Sequence, residues 1–247
     1  MIELIPKKIH YVWIGGPKGN IENICINSWR EKMPDYEIVE WNEHNVDIEK
    51  AIKGKKFLEI CYEKKLWAFI SDYLRIKALY EQGGLYMDTD MQVLKDITPL
   101  LEKSDILLGY ECEKYINGAI IGATKGHKFL KELLDFYEED IMNVDFYTIP
   151  RIITYILENK YEKIDRNKFS DNIAVYNEEF FYPFSYKEDF YYDCITENTY
   201  SIHWWGKSWA KKRSYFLESK HLKGVDKLVK CAKIFASNTL LSIKRRR

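Results

Sequence analysis

Asp88-Thr89-Asp90 is the sharpest concentration of chemistry in the sequence. It follows Leu85-Tyr86-Met87, which reads as a minimal strand, and alternate side chains of an extended backbone point the same way, so both carboxylates can grip one hard cation. Placed at the mouth of an apolar strand, after the helix stop Gly83-Gly84, the two charges repel each other unless a metal or a cationic ligand neutralises them. One helix earlier, Asp72 and Arg75 stand three residues apart and share a helical face. Flanked by Ile70, Leu74 and Ile76, the pair reads as part of a largely buried helix and not as a solvated surface ion pair. Late in the chain, His203-Trp204-Trp205-Gly206-Lys207-Ser208-Trp209 combines an imidazole with three indoles. Two readings stand side by side: a sugar platform with His203 as a third metal ligand, and a packed aromatic corner.

These residues need a scaffold, and the sequence outlines one. Ile9 to Ile14 is rich in β-formers and stops at Gly15-Gly16-Pro17, which fits a buried strand ending in a loop where a nucleotide can sit. Ile24 to Arg30 reads as a helix, Tyr36 to Trp41 as a second strand, and Asn42 or Asn45 can cap the next helix. Leu66 to Gln82 has helical spacing; Ile106 to Tyr110 and Ala119 to Ala123 read as strands, and Lys128 to Glu138 as a helix. Such alternation predicts an α/β sandwich around a mostly parallel sheet. After about Asp140 the pattern turns irregular and aromatic, and the acceptor-facing part is expected there.

Composition narrows the field. With 46% hydrophobic and 31% charged residues, the 247-residue chain is not disordered. No apolar run approaches the ~20 residues of a membrane span, and Met1 to His10 lacks a signal-peptide core, so a soluble, cytoplasmic protein is expected. Five scattered cysteines without a C-x-x-C pair read as reduced, inert thiols. The net charge of zero hides an asymmetry: from Lys207 onward thirteen Lys or Arg face Glu218 and Asp226, a balance of +11, so the first 206 residues carry −11. An acidic body argues against nucleic-acid binding. In the tail, Leu222, Val225, Leu228, Val229, Ala232, Phe235 and Ala236 fall on one helical face among lysines, and Lys244-Arg245-Arg246-Arg247 closes the chain. A basic amphipathic helix of this kind suits peripheral contact with the anionic inner face of the cell membrane, about 1 kcal/mol per cation, or docking on the body. The expected organisation is a domain over residues 1–210 and a helical tail over 211–247.

The string SDYLRIKALYEQGGLYMDTDMQVLKD, residues 71–96, resembles the signature of the D-x-D sugar transferases of glycosyltransferase family 32. Ile5 to Gly16, Trp41-Asn42-Glu43 and Asn117 to Gly122 followed by Lys125-Gly126-His127 are similar to further stretches of that family, so the resemblance spans about residues 5–210. It implies a GT-A fold, a Rossmann-like mixed sheet flanked by helices, with a nucleotide-diphosphate sugar donor and Mn2+ or Mg2+. Carried over residue by residue, it has Trp13, beside Ile14, stacking on the donor base, Asp72 and Arg75 holding sugar hydroxyls, and Asp88 and Asp90 serving metal and ribose. Asn117 falls among the donor and acceptor contacts, as does Tyr147 to Thr154, where Ile149 stands in place of the glycine usual before this proline. The ending with His203, Ser208 and Trp209 resembles that of shorter family members. The resemblance also implies retention of anomeric configuration, with no side chain identified as a covalent nucleophile, so front-face attack is the expected route. The expected function is therefore metal-dependent, retaining transfer of a hexose from a UDP-sugar to a surface polysaccharide or lipid-linked oligosaccharide, as in capsule synthesis. Rival readings are a sugar-nucleotide-binding protein without turnover, an aspartate-dependent phosphohydrolase using Asp88 and Asp90, and a transferase with a protein acceptor.

Overall fold

A computed structural model describes residues 4–206 together with Val225 and Val229. Ser208, Trp209 and the rest of the 211–247 tail lie outside the described residues. The first half of the chain runs β1 (Lys8–Val12), α1 (Asn20–Lys32), β2 (Glu37–Trp41), α2 (Ile48–Ile52), α3 (Lys56–Glu63), α4 (Trp67–Gln82), β3 (Gly84–Met87), β4 (Met91–Val93), α5 (Thr98–Leu101) and β5 (Ile106–Tyr110). It continues with β6 (Ile116–Ala123), α6 (Lys128–Asp135), α7 (Ile149–Lys160), β7 (Lys163–Asp165), β8 (Lys168–Phe169), β9 (Ile173–Tyr176), α8 (Glu178–Phe181) and β10 (Ser201–His203). The expected 128–138 helix is regular only to Asp135 and widens into a π-turn over Phe136–Asp140.

The main sheet has the order β2-β1-β3-β6-β5-β9-β8-β7. β1 is parallel to β2 and β3, and β5 to β9, while β6 runs antiparallel to both β3 and β5, and the β7–β8 and β8–β9 pairs are antiparallel. The expectation of a mostly parallel sheet is thus corrected to a mixed one. The physical reason is the five-residue link 111–115 between β5 and β6, too short for a crossover helix, which forces a hairpin-like return. Consequently the C-terminal ends of β1, β3, β5 and β9 and the N-terminal end of β6 meet at one edge of the sheet.

Two apolar layers sandwich this sheet. One, with Leu58, Leu74, Phe129 and Ile153, joins α3, α4, α6 and α7 to one face; the other, with Ile26, Trp29, Leu100 and Trp204, joins α1, α5 and the β4/β10 ribbon to the opposite face. Along β1 the alternation is direct: His10 and Val12 face the first side, Ile9 and Tyr11 the second, and all four are buried. His10 is structural: Nδ1 accepts from Trp41 Nε1 at 3.1 Å, which places its proton on Nε2 for the bond to the Gly83 carbonyl at 2.9 Å. Gly83 and Gly84 make the return from α4 into β3 with φ of +65° and +112°. A Cβ on Gly84 would stand 2.8 Å from the Lys8 carbonyl, so only glycine allows β3 to start this close to β1.

Candidate active site

Asp88 sits where β3 ends. Its N–H donates to the Ala119 carbonyl at 2.8 Å, extending the β3–β6 ladder by one residue and fixing the backbone beneath the carboxylate. Oδ1 of Asp88 accepts from Tyr86 Oη at 2.7 Å and lies 3.3 Å from Arg75 Nη2, so its partners among the described residues fall on one oxygen and Oδ2 is left for a ligand. Arg75 Nη2 also meets Asp72 Oδ1 at 2.8 Å, as the three-residue spacing suggested, but the pair is buried, with side chains 7% and 11% exposed. Arg75 further donates from Nη1 to the Gly118 carbonyl at 2.7 Å, contacts the Ser71 carbonyl through Nε at 3.5 Å, and lies over the Tyr86 ring at 4.6 Å. The guanidinium is therefore held by protein acceptors on every nitrogen.

The electrostatics follow from this packing. Burial lifts the Asp72 carboxyl to about 6 despite Arg75, with Asp88 adding to the rise. Burial opposes the charge on Arg75, but Asp88 and Asp72 outweigh it and hold the guanidinium above its ordinary value.

Asp90 is neutralised differently. Its Oδ1 meets His203 Nε2 at 3.1 Å, and its Oδ2 accepts from the Gly206 N–H. β4 and β10 pair antiparallel with His203 opposite Met91, and the Trp204 N–H donates to the Asp90 carbonyl at 3.0 Å, so the ribbon delivers His203 to the triplet. The other edge of β4 is closed by α1: Trp29 Nε1 donates to the Met91 carbonyl at 2.7 Å, and Ser28 Oγ accepts from the Val93 N–H at 2.9 Å. Trp205 has φ +53°, a left-handed conformation unusual for so bulky a residue, and it turns the chain so that Gly206 faces Asp90. A Cβ on Gly206 would stand 2.8 Å from Asp90 Oδ2. Burial raises the Asp90 carboxyl, but the charge and hydrogen bond of His203 and the Gly206 N–H together bring it below its ordinary value. Burial lowers His203, and Asp90 more than reverses this.

Asp88, Asp90 and His203 each place a ligand atom within 4.8 Å of one another. Two carboxylates and an imidazole suit Mn2+ or Mg2+. The buried His203 Nδ1 has no hydrogen-bond partner among the described residues, a further sign that the site is organised around something the protein atoms do not supply. The residues present thus fit a divalent cation; His203 is near the carboxylates, and its ring packs at 4.1 Å from Trp205 and 5.7 Å from Tyr182.

A cleft of about 310 Å³ opens on the triplet, lined among others by Trp13, Ile14, Trp67, Asp88, Asp90 and Gly206. Trp13 Nε1 donates to the Gly16 carbonyl at 2.9 Å, and Glu43 accepts from the Gly15 N–H at 3.1 Å, which ties down the loop after β1. Asp72 and Arg75 do not line this cleft; they lie beneath it, behind Asp88. Asn117 lies at the start of β6: Oδ1 accepts from the Ala119 N–H at 2.7 Å, and Nδ2 donates to Glu111 at 2.5 Å. Ile149 is seated on Gly118, where a Cβ would stand 2.8 Å from its Cδ1. Sequence reading missed Glu111, Tyr182 and the role of Gly206. Only Glu111 carried a local signal, an acidic residue directly after a buried strand, as Asp88 is.

Comparison with known proteins finds glycosyltransferases. Residues 19–107 match the glycosyltransferase sugar-binding region containing a DXD motif, and residues 122–237 match an alpha 1,4-glycosyltransferase conserved region. The chain is 23% identical to human lactosylceramide 4-alpha-galactosyltransferase, with 72% of this chain and 49% of that one covered. It is 29% identical to human alpha-1,4-N-acetylglucosaminyltransferase, covering 56% and 43%. It is 25% identical to subversion of eukaryotic traffic protein A of Legionella pneumophila, covering 65% of this chain and 29% of that one. The chain thus spans between about a third and a half of these three relatives' lengths. Among solved structures, the PaToxG glycosyltransferase superposes with a TM-score of 0.52 at 19% identity, covering 63% and 69%. The glycosyltransferase GlyE of Streptococcus pneumoniae TIGR4 gives 0.52 at 14%, covering 95% and 64%. The expected fold, a GT-A-type mixed sheet flanked by helices, is borne out, and the expected resemblance to the D-x-D sugar transferases agrees with the glycosyltransferase regions matched.

Proposed function

We propose that this relative of the DXD-containing glycosyltransferases transfers a hexose from a UDP-sugar, with Mn2+ or Mg2+ and with retention, to a saccharide acceptor. The observation that carries the reading is the convergence of Asp88, Asp90 and His203 at the mouth of a cleft walled by Trp13 and Ile14. When bound, a divalent metal neutralises the charge that develops on the leaving diphosphate. Asp88 Oδ2, Asp90 and neutral His203 would hold it, with no other carboxylate required. Trp13, steadied by its bond to the Gly16 carbonyl, offers an indole face to the base, and Ile14 extends that wall. Arg75, engaged by Asp72, Asp88 and the Gly118 carbonyl beneath the cleft, positions both carboxylates. Ser208 and Trp209 complete the donor side in this reading.

Retention is supported by the α linkages named in both human relatives, since front-face attack preserves the configuration of an α-linked donor. The acceptor in this reading is a surface polysaccharide or lipid-linked oligosaccharide on the cytoplasmic face of the membrane. Val225 and Val229, two positions of the apolar stripe in the 211–247 tail, are helical and exposed, which supports peripheral membrane contact by that tail. No helix among the described residues is long and apolar enough to cross a membrane.

The test is nucleotide release from a panel of UDP- and GDP-sugars with Mn2+, Mg2+ or chelator, for the wild type beside Asp90→Ala. Metal-dependent UDP release from one sugar, reduced by at least about a hundredfold in the variant, is the expected result. Equal release with chelator would defeat the metal-dependent reading, and absence of UDP binding would defeat the donor site.

A further inference from the structure

The strand order arranges the candidate residues in a line. Trp13 follows β1, the Asp88 triplet follows β3, Asn117 opens β6, and Glu111 follows β5, all along one edge of the sheet in the spatial order β1-β3-β6-β5. With strands about 4.8 Å apart, Glu111 stands roughly 10 Å from the Asp88 position in the direction leading away from Trp13. If the base lies by Trp13 and the diphosphate by Asp88 and Asp90, the transferred sugar falls beside Asn117 and the next group along the edge meets Glu111.

Local geometry gives Glu111 a defined place. Its N–H donates to the Tyr115 carbonyl at 2.8 Å, closing the link between β5 and β6. The β5–β6 register breaks between Leu107 and Gly109, and such bulges re-aim side chains. Here the break accompanies the 2.5 Å bond from Asn117 Nδ2 to Glu111 Oε2. Asn117 Oδ1 is already pinned by the Ala119 N–H, so the amide cannot turn, and one N–H of its Nδ2 remains beyond the bond to Glu111. Gly109 leaves room for the Phe181 and Tyr182 rings, the latter 3.0 Å from where a Cβ would be. The Tyr182 ring in turn packs 5.7 Å from that of His203, so β5 and the end of β10 approach each other through it. Glu111 and Asn117 both lie between the stretches 19–107 and 122–237 that match known families.

We propose that Glu111 is an acceptor-binding residue: its carboxylate accepts a hydrogen bond from the incoming hydroxyl, of a saccharide or of water, on the side of Asn117 away from the metal carboxylates. An uncharged polyhydroxyl ligand is the chemistry this place suits. A carboxylate on the same edge as Asp88, in a body of net charge −11, repels an anionic acceptor group, whereas hydroxyls donate to it readily. The inference rests on the donor reading above and adds the acceptor side to it.

The test compares the wild type, Glu111→Gln and Glu111→Asp in three measurements: calorimetric binding of UDP with Mn2+, hydrolysis of the UDP-sugar that the panel identifies, and transfer from it to lactose as probe. The expected result is UDP binding within twofold of wild type for both variants. Hydrolysis by Glu111→Gln should fall at least tenfold, with partial recovery in Glu111→Asp; where lactose serves as acceptor, its KM should rise while that of the donor holds. Wild-type hydrolysis by Glu111→Gln would overturn the inference alone. Weakening of UDP binding in step with the rate would also overturn it, making Glu111 a prop for the metal group. Failure of the wild type to bind UDP would remove the donor reading and this inference with it.

Discussion

Asp88 and Asp90 stand two residues apart on one turn, yet they belong to differently built charge centres. Asp88 shares Arg75 with Asp72, a permanent cation held by four protein contacts. Among the described residues, the Asp90 carboxylate has His203 and one backbone N–H. The first centre has its countercharge built in; the second has one that can leave as a proton. This difference assigns the work: the Arg75 centre fixes geometry, and the Asp90 centre is where a divalent cation can replace a proton without leaving a buried charge unpaired.

The largest effect that would sharpen the contrast is on Arg75. Arg75→Ala leaves Asp72 and Asp88 facing each other without a cation and is expected to lower unfolding free energy by about 3–5 kcal/mol in urea titrations. If stability changes by less than about 1 kcal/mol, the two centres are not distinct in kind.

Next comes Asp72→Asn. Because burial raises the folded Asp72 carboxyl to about 6 from 3.8, the folded protein binds this proton more tightly than the unfolded chain. The ionised form therefore costs stability above pH 6, a cost that fades as pH falls towards 4. Relative to wild type, the asparagine variant should gain up to about 3 kcal/mol between pH 4 and pH 7 by chemical denaturation, and a flat difference would contradict the assignment.

The Asp90 centre should respond to pH with two opposite limbs. Stability from the lowered Asp90 carboxyl is present above about 3.8 and lost as pH falls through its folded value. Stability from the raised His203 is present below about 6.5 and lost as pH climbs through its folded value. Without metal the pair stabilises best between these limits. Mn2+ needs neutral His203, so its affinity should rise with pH, up to about tenfold per unit, until His203 is fully deprotonated. Calorimetry in buffers of different ionisation enthalpy should count about one proton released, and none in His203→Gln. The smallest effect is expected from Gly206→Ala. The Cβ pushes against Asp90 Oδ2, so nucleotide release should drop about tenfold at nearly unchanged Tm, the size expected when one positioned carboxylate moves by a few tenths of an ångström.

Legibility in the sequence tracks the range of the contacts. Asp72, Arg75, Asp88 and Asp90 were legible because spacing within one helix and one strand end defines them, and β1, β2, β3, β5 and β6 were legible from short runs of β-formers, whereas the three-residue β4 was not. The antiparallel setting of β6 was not, since helix and strand alternation carries no sign of direction. Glu111 with Asn117, and Gly206 with Asp90, were not legible either. The latter pair is 116 residues apart, and only the turn at Trp205 and the β4/β10 ribbon bring it together. Ile149 was legible as a departure, but its seat on Gly118 needed the packing of α7 on β6.

That ribbon also sets an order of assembly. Joining β10 to β4 closes a loop of more than a hundred residues for three residue pairs. The chain entropy of such a closure, about 4 kcal/mol, exceeds what so short a ladder returns, so the ribbon forms only once α1 and the sheet offer Trp29, Ser28 and the apolar layer beneath them. The trio of Asp88, Asp90 and His203 is therefore expected to be completed late in folding, after the sheet that supports the triplet. Competence to hold metal becomes a report that the molecule is whole.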